Sequence, residues 1–220
     1  SLPALRILLA EDSPDNCVIT VAYLADTPYV IEIAENGAIA CKMFAAGHYD
    51  LILMDRQMPV MDGVTATRTI RALEQANHMS PTPIIALTAS ALKGDREQFL
   101  AAGCTEFLTK PIKRELLLQA IRDCSVGAPV SSNAKSPQDL GVIPPSNPQV
   151  AARVPLFLQN RRKDVITMLD ALARDDWKTV ERLGHSMRGT GAGYGFQTIT
   201  DIGTAIEREA GNADAVASRH

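Results

Sequence analysis

Between residues 5 and 124 five short apolar runs alternate with five longer amphipathic stretches, and that alternation narrows the possible folds more than any other feature. The runs are Leu5–Ala10, Val30–Ala34, Leu51–Met54, Ile84–Leu87 and Thr105–Leu108. They are too short for helices and nearly continuous in apolar character, as strands covered on both faces must be. Between them Asp15–Leu24, Ala38–Ala46, Val64–Ala76, Ala91–Ala102 and Lys113–Cys124 carry apolar residues at helical spacing. The pattern predicts an α/β fold, a doubly wound five-stranded parallel sheet with helices on both faces. Ser13-Pro14 opens the first helix, Asn36-Gly37 precedes the second and Gly103 closes the fourth.

Open sheets of this kind place their chemistry beyond the C-terminal ends of the strands. Strand order 2-1-3-4-5 sets strands one and three side by side, so Glu11 and Asp12 converge on Asp55. Three ionised carboxylates that close repel one another unless a cation intervenes, and hard oxygen ligands suit Mg²⁺. Thr88 follows the fourth run with a hydroxyl, and Lys110 follows the fifth with a cation. A metal, a lysine and a hydroxyl around one carboxylate match the needs of in-line phosphoryl transfer. Pro111 points to a cis peptide after Lys110.

The stretches AEDSPDN, ILMDRQMPVMDG, ALTA and LTKPI, in this order and spacing, resemble a response-regulator receiver domain across residues 5 to 124. The resemblance implies a flavodoxin-like fold with Asp55 as phosphoacceptor. It implies Mg²⁺ held by Glu11, Asp12, Asp55 and the main-chain carbonyl of Gln57, and a phosphoryl group bound by Thr88 and Lys110. Phe107 falls at the family's switch aromatic, which would turn inward with Thr88. EDSPDN and MPVMDG are most similar to receivers attached to hybrid sensor kinases.

Residues 125–148, with five prolines and several serines, read as a flexible linker. Such a coil would span roughly 25–30 Å. Residues 149–220 have no strand pattern and predict a separate all-α bundle; Val154 to Ala173 would supply a helix or two. In HSMRGTGAGYGF, residues His185, Arg188 and Gly189 share one helical face. A near-neutral imidazole can accept a phosphoryl group, an arginine can neutralise its oxygens, and a glycine leaves room for a partner. The stretch resembles the histidine phosphotransfer (HPt) domain, with Arg188 where that family usually has lysine. Gly195-Phe196 is expected to end the helix. Asn212–His220 looks like the start of a last helix cut short, and an incomplete bundle invites dimerisation.

Several classes are excluded. Net charge is −3 without a basic run, which gives nucleic-acid binding no support. No apolar segment reaches the ~20 residues of a membrane span. The four cysteines lack metal spacing and suit a reducing cytoplasm, although a parent protein could be membrane-anchored. The glycines after His185 follow no strand and lead to no Gly-Lys-Ser/Thr, so they form no nucleotide loop. Without an ATP-binding motif the chain is not itself a kinase. A hydrolase of the haloacid type would want an acid two residues after Asp55, where Gln57 stands. Starting at Ser1 rather than Met, the chain reads as a piece of a longer hybrid kinase. The expected function is a phosphorelay, with a sensor histidine kinase core as donor and a downstream receiver as acceptor. The alternative is a binding module switched by phosphorylation of Asp55, its helical unit serving only for docking or dimerisation.

Overall fold

The computed structural model describes residues 3–88, 93–125 and 148–217. They fall into two compact units, 3–125 and 148–217. The expected linker lies almost wholly outside the described residues; its end residues, Ser125 and Pro148, belong to helices.

The first unit is built from β1 (Arg6–Ala10), α1 (Pro14–Leu24), β2 (Val30–Ala34), α2 (Gly37–Ala46), β3 (Leu51–Asp55), α3 (Gly63–Ala76), β4 (Ile84–Thr88), α4 (Lys93–Ala102), β5 (Glu106–Thr109) and α5 (Arg114–Ser125). All neighbouring strands are parallel, in the order β2-β1-β3-β4-β5. Side chains alternate across each strand, so one sheet supplies two cores. Leu8, Ala10, Ile52, Met54, Ile84 and Ala86 pack with Phe44, Ile70 and Phe99 of α2, α3 and α4. Ile7, Leu9, Leu51, Leu53, Ile85 and Leu87 pack with Leu24, Leu117 and Ile121 of α1 and α5. This two-sided burial explains why the central strands lack a polar alternation.

Caps fix where the helices begin. Ser13 accepts a hydrogen bond from the Asn16 amide, Asn36 from Ile39 and Asp62 from Thr65. Asp62 thereby turns the chain directly from the loop after β3 into α3. Gly63 presses so closely on this loop that a Cβ there would fall on the carbonyl oxygen of Asp55. Gly63→Ala is therefore expected to cost about 3 kcal/mol, at the upper end of overpacking penalties, in urea unfolding of the first unit.

The second unit contains α6 (Pro148–Leu172), α7 (Trp177–Thr190), a short 3₁₀ turn (Ala192–Tyr194) and α8 (Gln197–Ala217). Residues 150–172 thus form one helix, with Pro155 inside its early turns. Phe157 of α6 stacks on Tyr194, ring centroids 4.2 Å apart, and on Phe196 at 5.9 Å. Met168, Leu183 and Met187 gather with Ile199 and Ile206, binding α6, α7 and α8 into one core. The axes of α7 and α8 come close because Gly184 and Gly203 face each other. A Cβ on Gly184 would lie 2.8 Å from the amide nitrogen of Glu207.

Two expectations for this unit need correction. Gly195-Phe196 does not end the helix that carries His185. That helix stops at Thr190, and Gly195, at φ +85°, closes the 3₁₀ turn that follows. Nor does Asn212 begin a new helix: α8 runs through Gly211 to Ala217. A helical glycine costs only about 1 kcal/mol, and Ala205, Glu209, Ala210 and Ala213 around it are strong helix formers.

Candidate functional site

The register of the sheet assembles the acidic site. Ala10 pairs with Met54, so the residues just beyond them, Glu11 and Asp55, emerge side by side. Asp55 is the last residue of β3 and fully buried, with Arg56 donating its amide to Oδ1 at 2.8 Å. Glu11, Asp12 and Asp55 each bring a carboxylate oxygen within 4.8 Å of the others. The side chain of Glu11 is held by the Ser13 amide at 3.2 Å and by Asn16 Nδ2 at 2.9 Å. Asn16 is a positioning residue that its place in the first turn of α1 could have suggested.

Lys110 reaches this cluster from the end of β5. Its Nζ lies 2.8 Å from Glu11 Oε2 and 2.9 Å from Asp55 Oδ1. Burial pulls the ammonium's pKa down, but the charges of Asp55 and Glu11 more than offset this and hold it above its ordinary 10.5. Its stabilising contribution is therefore complete at neutral pH and is lost only as pH rises through that elevated value. The Lys110–Pro111 peptide is cis, as Pro111 suggested. Thr88, the last residue of β4, is buried and accepts the Lys110 amide on its carbonyl at 2.7 Å. Burial, then Glu11, pushes the nearby Cys17 thiol up to about 12, so it stays a neutral wall of the site.

Three carboxylates against one ammonium leave a surplus of negative charge in a buried place, a donor set that fits a divalent hard cation. Gln57 stands exposed two residues beyond Asp55 in the loop. Phe107 is half-buried opposite Ala86 and packs against the core of the α3 side. Lys110→Met would leave Glu11 and Asp55 buried without their counter-ion, an expected loss of about 3–5 kcal/mol at neutral pH. Protonation relieves that repulsion, so the loss should shrink as pH falls toward the carboxylate range. Urea titrations at two pH values check both statements.

His185 lies on α7 and is buried, its Nδ1 3.0 Å from Glu207 Oε1 of α8. Arg188 Nη1 lies 3.0 Å from Glu207 Oε2. One carboxylate thus holds both residues that the HPt-like motif singled out. Gly189 is buried on the same helix. Sequence reasoning missed Glu207, which stands near Glu209 in a polar stretch of α8; only the packing of the two helices distinguishes them.

Comparison with known proteins agrees with this geometry. The family model of the response regulator receiver domain matches residues 7–122. Hybrid signal transduction histidine kinase B of Dictyostelium discoideum is 42% identical over an alignment that covers 53% of this chain and 6% of that protein. The signal transduction histidine-protein kinase BarA of Shigella flexneri is 28% identical over an alignment that covers 94% of this chain and 24% of the kinase. The chain thus spans less than a third of either relative. Among solved structures, the receiver domain of a Pseudomonas aeruginosa sensor histidine kinase, with magnesium coordinated in its active-site cleft, matches at TM-score 0.52 and 41% identity. That match covers 57% of this chain and all of the other. A co-crystal of the Saccharomyces cerevisiae phosphotransfer protein Ypd1 with the receiver domain of Ssk1 matches at TM-score 0.56 and 30% identity, covering 60% and 96%. With the receiver model matching more than half of its length, the chain belongs to the response regulator receiver domain family.

Proposed function

We propose that the chain is a phosphorelay segment: a receiver over residues 1–124 that accepts a phosphoryl group on Asp55, a linker over 125–148, and an HPt domain over 149–220 that passes the group on through His185. The observation that carries the first step is the buried Asp55 carboxylate, with an ammonium at 2.9 Å and two further carboxylates within 4.8 Å. Glu11, Asp12 and Asp55, with the main-chain carbonyl of Gln57, would hold Mg²⁺, which supplies charge neutralisation for the carboxylates and the incoming phosphoryl oxygens.

Asp55 attacks the phosphorus of a donor phosphohistidine. An O–P bond forms, the N–P bond breaks, and the departing imidazole keeps its electron pair and takes up a proton. Lys110 Nζ, already between Glu11 and Asp55, turns to a phosphoryl oxygen, and the Thr88 hydroxyl donates to another. Phe107 follows Thr88 inward as the switch. In the second transfer, Glu207 engages Nδ1 of His185 and leaves Nε2 as the nucleophile. Arg188 offers a cation to the transferred group, and Gly189 leaves room for a partner to approach. The donor would be a sensor histidine kinase core and the final acceptor another receiver. The setting would be the cytoplasm, in a longer hybrid kinase of the kind the similarity to BarA supports.

A second reading rests on the contact between His185 and Glu207, which can equally serve only to join α7 and α8. The unit would then be a docking element, and phosphorylation of Asp55 the whole signal. Chelation and label stability separate these readings. Removing Mg²⁺ with EDTA should lower label uptake from a phosphorylated kinase core at least about a hundredfold. The relay predicts both alkali-labile acyl phosphate and acid-labile phosphohistidine on the loaded chain, and the docking reading predicts only the former. Uptake unaffected by EDTA would contradict the metal assignment.

A further inference from the structure

The loop after β3 holds one residue in a backbone conformation that its side chain disfavours. Val60 has φ +69°, and the Met61 amide donates to the Pro59 carbonyl at 2.7 Å. Pro59, Val60 and Met61 thus form a γ-turn of the rare, strained kind with positive φ at its centre. Among the described residues, His78 and Asp175 also take positive φ. They stand just beyond the C-terminal ends of α3 and α6, and histidine and aspartate tolerate that region. A β-branched valine does not. Nor does its side chain gain packing within the chain, because it is 86% exposed.

The surroundings keep the turn from relaxing. Met58 is buried in the core on the α3 side, and Met61 packs against the same core. The Met61 carbonyl accepts the Gly37 amide at 3.1 Å, and Gly63 closes the loop by donating its amide to the Arg56 carbonyl at 2.9 Å. Pro59 and Val60 therefore bridge two anchored methionines. Gly63 lies against the Asp55 carbonyl. Three residues of chain span at most about 11 Å, so Val60 stays within that reach of Gly63, on the rim of the acidic site.

Strain kept beside a site, at a residue with no packing of its own, points to a use outside the chain. Asp55 is fully buried, so a protein donor must come down onto the loops that rim it. A knob already fixed by its turn loses little conformational freedom when it is covered. We propose that Val60 is a contact point for the donor protein, an apolar knob that seats against the surface presenting the donor's phosphohistidine. This rests on the reading of Asp55 as phosphoacceptor, and it sets affinity for the donor, not the chemistry.

Two phosphodonors separate these roles in the full chain: a phosphorylated sensor kinase core, and phosphoramidate, which carries a P–N bond without a protein around it. Val60→Asn suits positive φ and removes the apolar branch, so the unfolding midpoint should rise and labelling by phosphoramidate should stay unchanged. The KM for the kinase core should rise about tenfold at constant kcat, as expected for the loss of one buried valine contact. Val60→Ile should keep the wild-type KM. An unchanged KM in Val60→Asn would overturn the proposal, as would a fall in stability and in labelling from both donors, the mark of a structural residue. A wild-type chain that phosphoramidate does not label at Asp55 would overturn the phosphoacceptor reading itself, and the proposal with it.

Discussion

Asp55→Asn is expected to abolish label transfer from a phosphorylated kinase core, a loss of at least about a thousandfold, while the receiver unit stays folded. An amide oxygen is too poor a nucleophile to displace the donor imidazole. Asp12 lies nearby, but the ammonium of Lys110 is poised on Glu11 and Asp55. The substitution also removes one of three mutually repelling carboxylates and leaves Lys110 paired with Glu11. Its unfolding midpoint should therefore lie close to the wild-type value, in contrast to the loss expected for Lys110→Met. Residual alkali-labile label on the Asp55→Asn receiver would assign the acceptor elsewhere.

His185→Gln is expected to remove all acid-labile label from the chain and to leave the alkali-labile label on Asp55 intact. A carboxamide cannot form the N–P bond, so the relay would stop at the receiver. The fold should tolerate the change, because Arg188 still engages Glu207 and the close contact of α7 and α8 rests on Gly184 and Gly203. The phosphate on Asp55 should also persist longer, since its onward route is closed. Glu207→Ala tests the same step from the other side: it should slow labelling of His185 by about 10–100-fold without touching Asp55. Unchanged labelling would reduce the His185–Glu207 contact to a purely structural pair.

The receiver was legible in the sequence because its strands are short, doubly buried and end in the residues that make up the candidate site. Apolar runs located the strand tips, and the tips located Glu11, Asp12, Asp55, Thr88 and Lys110. The strand ends were read one residue short: Asp55 and Thr88 still belong to β3 and β4, since polar side chains at a sheet edge do not interrupt the backbone ladder. The helical unit was less legible. Glycine at 211 resembles a break but sits among strong helix formers, so α8 continues. Gly195-Phe196 suggested the stop of the helix that carries His185, but α7 ends at Thr190, where Gly191 donates its amide to the Met187 carbonyl. Glu207 escaped notice because helix periodicity gives a face without naming the residue it meets on a neighbouring helix.

Mixing the two variants tests the relay most directly. Neither the Asp55→Asn chain nor the His185→Gln chain should show acid-labile, alkali-stable label when treated alone with a radiolabelled kinase core in Mg²⁺. Together they should complement, label passing from Asp55 of one chain to His185 of the other and appearing as phosphohistidine on the Asp55→Asn chain. Label that remains alkali-labile on the His185→Gln chain, with none on its partner, would contradict the relay through His185.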